Sequence, residues 1–181
     1  MTEHGVRDRV VIVTGAGQGI GRGIAHHLGR HGARLVVAEW KAPRMQRTVD
    51  ELTALGVEAL GVVCDVQQQA SIDAMVAATI ARFGRVDGLV NNAQTFRAQA
   101  PVETIGAEDA GVFMTSGPMG TLWAMQAVFP HMRAQGWGRI VNVGSAAGLV
   151  GLHGYGAYAM SKEAIRALTR TAAREWGRHG I

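Results

Sequence analysis

The sequence predicts an α/β fold, a doubly wound parallel sheet covered by helices on both faces. Three features lead there. Short β-branched runs alternate with helix-length stretches along the whole chain. A glycine cluster joins the first such run to the first helix. Right-handed crossovers, with a reversal after the third strand, then give the strand order 3-2-1-4-5.

The elements follow in order. Residues 10–14, Val-Val-Ile-Val-Thr, form the first strand and run into the cluster Gly15-Ala16-Gly17-Gln18-Gly19-Ile20-Gly21. A helix over 19–31 is stopped by Gly32. Strand 34–38, helix 44–55 with Gly56 just past its end, and strand 60–64 come next. Ser71 is placed to cap a helix that ends at Phe83 before Gly84. Strands 86–90 and 139–143 flank a long helical stretch over 107–134, where Leu122, Met125, Phe129 and Met132 recur at helical spacing and bury one face. Gly117-Pro118 falls inside that stretch, and a proline costs a regular helix about 3 kcal/mol, so a kink or break is expected there. A last helix covers 155–178. With no repeat or linker, residues 1–181 read as a single domain.

Bulk properties narrow the function. The chain is 48% hydrophobic and 18% charged, an ordinary globular composition. Its net charge of +4 comes from basic residues scattered singly, which argues against nucleic acid as a partner. No apolar run reaches the length of a membrane span and the start lacks a secretory signal, so cytoplasm is the expected location. Cys64, the lone cysteine, lies in an apolar run and reads as a small buried hydrophobe. His27 and His31 have the spacing of a metal pair but lack a third ligand, so no metal is expected.

The glycine cluster points to a dinucleotide. Glycines let the chain turn sharply and let its backbone approach a pyrophosphate, while the helix N-terminus behind offers free N–H groups. Glu39, at the end of the second strand, is placed to accept both adenosine ribose hydroxyls and to repel a 2′-phosphate. NAD(H) is therefore favoured, and NADP(H) stays admissible because Lys41 can reach toward a phosphate.

The acid/base candidates are Tyr158 and Lys162, four apart on a helix and so on one face. A phenol is a poor base at neutral pH, and a nearby ammonium favours its ionised form. Tyr155, the other tyrosine, has Ala159 in place of a lysine.

The spacing Thr14-Gly15-x-x-x-Gly19-x-Gly21, Asn91-Asn92-Ala93 after the fourth strand, Ser145 after the fifth, and Tyr158-x-x-x-Lys162 together resemble the short-chain dehydrogenase/reductase family, from Val10 to Ile181. The resemblance implies a Rossmann fold and hydride transfer between a nicotinamide cofactor and a secondary alcohol or ketone. It implies Ser145, Tyr158 and Lys162 as the catalytic set, with Lys162 also on the nicotinamide ribose. Gly15, Gly17, Gln18, Gly19, Ile20, Gly21, Glu39, Asp65, Val66, Asn91 and Ala93 would line the cofactor, Asp65 and Val66 at the adenine. It further implies a homodimer or homotetramer built through the helices over 107–134 and 155–178.

Three departures set up an alternative. Gly117 stands where the family has a helix asparagine, and Gln94 where it has a glycine, so Gln94 is expected to crowd the nicotinamide side or to force a different backbone. Residue 181 falls where the family begins its sixth strand, so the resemblance implies a domain incomplete at its C-terminus, without the sixth and seventh strands. It is then either a fragment of a longer protein or one that covers those surfaces by association. The alternative is a catalytically weak, cofactor-binding scaffold or half of a split enzyme.

Overall fold

The computed structural model of the protein describes residues 5–181. Five parallel strands, β1 (Val10–Thr14), β2 (Arg34–Glu39), β3 (Ala59–Val63), β4 (Gly88–Asn91) and β5 (Arg139–Asn142), form one sheet in the order β3-β2-β1-β4-β5. The central strand runs in register from Val10 opposite Arg34 to Thr14 opposite Ala38, and its other edge sets Val11 to Val13 against Gly88 to Val90. The helices are α1 (Gly19–Arg30), α2 (Ala42–Ala54), α3 (Gln69–Phe83), α4 (Ala107–Met114), α5 (Gly120–Gln135), α6 (Ala147–Val150) and α7 (Gly156–Trp176).

Side chains alternate across a strand, so β1 feeds two cores. Val10 and Ile12 pack with Ile72, Met75, Leu89, Val128 and Met132, contributed by the α3 and α5 side. Val11 and Val13 pack with Ala25, Leu35, Val37 and Leu52 on the α1 and α2 side. At the end of the sheet away from the glycine cluster, Asp87 is fully buried and accepts from Arg9, Arg85 and the Val10 N–H. Burial raises this carboxyl, but those hydrogen bonds outweigh it and hold it below the usual carboxylate range.

One local expectation is corrected and a second is given its form. Ser71 caps nothing, because α3 starts at Gln69 and the Ser71 hydroxyl instead accepts the Asp65 N–H at 3.1 Å, fixing the turn after β3. The stretch around Pro118 stays helical, but its α-helical hydrogen bonding gives way over Thr115–Met119 to a five-residue π segment. The wider turn accommodates a residue that has no N–H to donate. Among the described residues no helix is long and apolar enough to cross a membrane.

Candidate active site

Chain continuations from β1 and β4 leave the sheet on opposite faces, which opens a crevice at the strands' C-terminal ends. Its volume is about 550 Å³, and Gly15, Gln18, Gly19 and Ile20 border it beside Glu39, Asp65, Val66 and Ala93. Gly15 adopts φ +65°, a conformation that side chains resist. Gly21 is forced by proximity: a Cβ there would lie 2.4 Å from the Gly15 carbonyl oxygen. Asn92 braces the turn, its Nδ2 donating to the Thr14 carbonyl at 2.9 Å, while the Ala93 N–H donates to Thr14 Oγ1 at 3.1 Å.

Not every predicted cofactor residue lines the crevice. Gly17 lies behind it, donating its N–H to Glu39 Oε2 at 3.2 Å, and a Cβ on it would sit 2.6 Å from Glu39 Cγ. Glu39 is buried and also accepts the Lys41 N–H through Oε1. Its carboxylate thus braces the glycine turn and keeps acceptor capacity to spare. Asn91 works inside the sheet, donating to Asn142 Oδ1 at 2.9 Å, and Asn142 donates on to Thr169 of α7 at 2.9 Å. The sequence reading missed Asn142 and Thr169, since only the fold brings them together.

Ser145 sits in the loop from β5 to α6, its Oγ accepting the Ala147 N–H at 3.2 Å. Tyr158 and Lys162 occupy successive turns at the start of α7. Lys162 is only 4% exposed, donates from Nζ to the Val143 carbonyl at 2.8 Å, and holds that nitrogen 5.6 Å from the centre of the Tyr158 ring. The lysine therefore ties Tyr158 to the strand end that leads into Ser145. Burial pushes its ammonium down to about 8.

A second hollow adjoins the crevice, with Phe96 lining both. Phe96, Phe113 and Tyr155 surround the Tyr158 ring at 5.7, 5.9 and 5.9 Å between centroids. The Tyr155 hydroxyl accepts from Gln99 Nε2, whereas the Tyr158 hydroxyl makes no hydrogen bond to another described residue. Sequence reasoning named Tyr155 only to set it aside as the base and did not name Phe96 or Phe113; Phe96, exposed on a segment with no regular structure, offered no periodicity to find it by.

Gln94 borders the crevice, but its carboxamide turns against Gly117 and α7, donating to Ser161 Oγ at 2.7 Å and to the Phe113 carbonyl at 3.4 Å. Cys64 is buried at the crevice wall and its thiol is pushed up to about 11 by burial, so it is protonated and unreactive at neutral pH. His31 Nδ1 lies 2.8 Å from the His27 carbonyl, and among the described residues no group of three or more His, Cys, Asp or Glu could hold a metal.

The chain is 36% identical over 176 residues to a levodione reductase of Leifsonia aquatica, covering 96% of this chain and 66% of that protein. An NAD+-bound xylitol dehydrogenase superposes with a TM-score of 0.94 at 34% identity, over 98% of this chain and 68% of that one. A gluconate 5-dehydrogenase of Burkholderia cenocepacia, solved with NADP and tartrate, gives 0.91 at 32% identity, over 97% and 68%. This chain thus spans about two thirds of each relative, and the two bound cofactors differ. Together with the glycine-lined crevice, they support a fold that binds NAD or NADP without deciding between them. Residues 9–181 match the short chain dehydrogenase family, and the chain belongs to that family of oxidoreductases.

Proposed function

We propose that this chain moves a hydride between a nicotinamide dinucleotide and a secondary alcohol or ketone, with Tyr158 as the acid/base group. One observation carries the reading: a buried ammonium, Lys162, lies over the Tyr158 ring beside the strand end that leads to Ser145. The crevice residues fit the cofactor, because the Gly15 and Gly21 backbones meet where a Cβ would intrude and α1 starts behind them with its N–H groups free for an anion. The bound nicotinamide supplies the hydride donor or acceptor.

The chain's own groups do the rest. Gly15, Gln18, Gly19 and Ile20 receive the pyrophosphate, with Gly17 and Gly21 shaping the turn. Asp65 and Val66 border the adenine end, while Asn91 and Ala93 hold the floor beside the nicotinamide. Ser145 Oγ holds the substrate oxygen, Tyr158 gives or takes its proton, and Lys162 favours the ionised phenol while bonding the nicotinamide ribose. The aromatic rings around Tyr158 form an apolar wall against which the substrate carbon frame would lie.

We infer NAD(H) as the preferred cofactor. Glu39 sets a carboxylate against the ribose end, while the Lys41 ammonium lies 5.0 Å from the ring of Trp40, which borders the same crevice. Arg44 borders the same crevice, so the ratio of NADH to NADPH affinity, measured in the parent and in Glu39→Ser, decides the matter. The lone, unreactive thiol suits a reducing cytoplasm. Residues 1–181 act as one dinucleotide-binding domain that self-associates through 107–134 and 155–178.

Cofactor fluorescence titration, run beside turnover with a panel of cyclic and linear ketones, tests the whole. Tyr158→Phe should lower turnover by at least about 100-fold and leave cofactor affinity within about twofold. Unchanged turnover would remove Tyr158 from the reaction. A parent that binds cofactor and turns nothing over is the scaffold of the alternative reading.

A further inference from the structure

Residues 92–95 form a strap that meets three parts of the site in four consecutive positions. Asn92 and Ala93 are bonded to Thr14 at the glycine turn. The Thr95 N–H donates to Ser116 Oγ in the π segment at 3.1 Å. Gln94, between them, reaches α7, and its Nε2 donates to the fully buried Ser161 Oγ. That hydroxyl spends its own proton on the Tyr158 carbonyl at 2.7 Å, so the carboxamide must present its nitrogen rather than its oxygen. Ser161 lies directly before Lys162 and three residues after Tyr158.

Glycine at 117 leaves the carboxamide its place: a Cβ there would lie 2.8 Å from Gln94 Nε2 and push that flexible tip aside. Gln94 Oε1 is left buried and without a partner among the described residues. A residue kept merely to fill space would be apolar and would avoid that penalty.

We propose that Gln94 is a positioning residue that clamps the Tyr158–Lys162 turn of α7 onto the floor of the cofactor crevice, with Gly117 leaving room for its carboxamide. The two departures from the family pattern are then one compensated pair. The proposal rests on the hydride-transfer reading and is tested so that the two can fail separately.

The experiment compares the parent with Gln94→Met, which keeps the volume and loses the donor, with Gly117→Ala, and with the double variant. Cofactor affinity, KM, kcat and thermal midpoint are read for each. Expected are a fall in kcat of about tenfold in each single variant, matching the loss of one hydrogen bond, with KM and cofactor affinity nearly unchanged. The double variant should be no worse than either single one, because both break the same link. Gly117→Ala should keep or raise the thermal midpoint, alanine being the better helix former, a pattern that a purely structural role would not give. An unchanged kcat, a change confined to KM or to the midpoint, or losses that multiply in the double variant would overturn the clamp alone. A parent without turnover defeats the hydride-transfer reading and the clamp together.

Discussion

Lys162 shows how one side chain sets chemistry against stability. Its ammonium is almost wholly buried, and burial disfavours the charged form, lowering it from 10.5 to about 8. Between those two values the unfolded chain holds a proton that the folded chain has released, so the group makes stability rise with pH across that window. Below it the folded chain bears the full penalty of a buried charge. Lys162→Met should therefore raise stability at pH 7 by about 1 kcal/mol, even after losing the bond to Val143, and flatten the rise toward pH 10. Thermal melts at both pH values check this, and a lower midpoint at pH 7 would contradict it. Gly21 makes the opposite case. Because a Cβ there meets backbone rather than a movable side chain, Gly21→Ala should cost about 1–3 kcal/mol in a urea melt and weaken cofactor binding with it.

At the scale of elements, the π segment between α4 and α5 is where helix propensity and function part. Pro118 cannot donate to an α-helical ladder, and the wider turn carries Ser116 to Thr95 and Gly117 to Gln94. Pro118→Ala restores a donor and lets the stretch relax into regular α-helix, which shifts the register of both neighbours. The thermal midpoint should rise while kcat falls about tenfold, comparable to losing the Thr95 contact. A higher midpoint with full activity would show that the π register is only a scar of the proline. The sequence made the proline's trouble plain, because the donor it lacks is a local property. It did not reveal the outcome, because a kink, a break and a π turn all relieve the same conflict and tertiary contacts choose among them. Ser71 teaches likewise: its residue type suits a cap, yet the hydroxyl is claimed by Asp65 six residues earlier. Tyr158 and Lys162 were legible for the converse reason, since four residues along one helix fix their relation without any tertiary knowledge. Gln94 and Ser161 are 67 residues apart, and nothing local says that they meet.

Across the whole molecule, the strand order was readable because crossover handedness and the buried β-branched runs leave few ways to assemble the sheet. The two edge strands depart from that burial: β3 has no buried residue and Val63 is 54% exposed, and β5 is likewise unburied. The β5 pattern alternates between exposed and half-buried residues, with Val141 54% exposed, and the strand pairs only with β4 among the described residues. Its outer edge therefore presents N–H and C=O groups, and Val141, in register with Val90, sets an exposed apolar side chain on the adjoining α1-side face, an invitation for another strand to dock. Beyond the helix-mediated association proposed above, the 181-residue chain should associate further through this edge as concentration rises. Val141→Lys places a charge where an incoming strand would pack and should reduce the association seen by light scattering. If scattering is unchanged by the lysine while the thermal midpoint falls, Val141 is already covered in solution and the edge is not open.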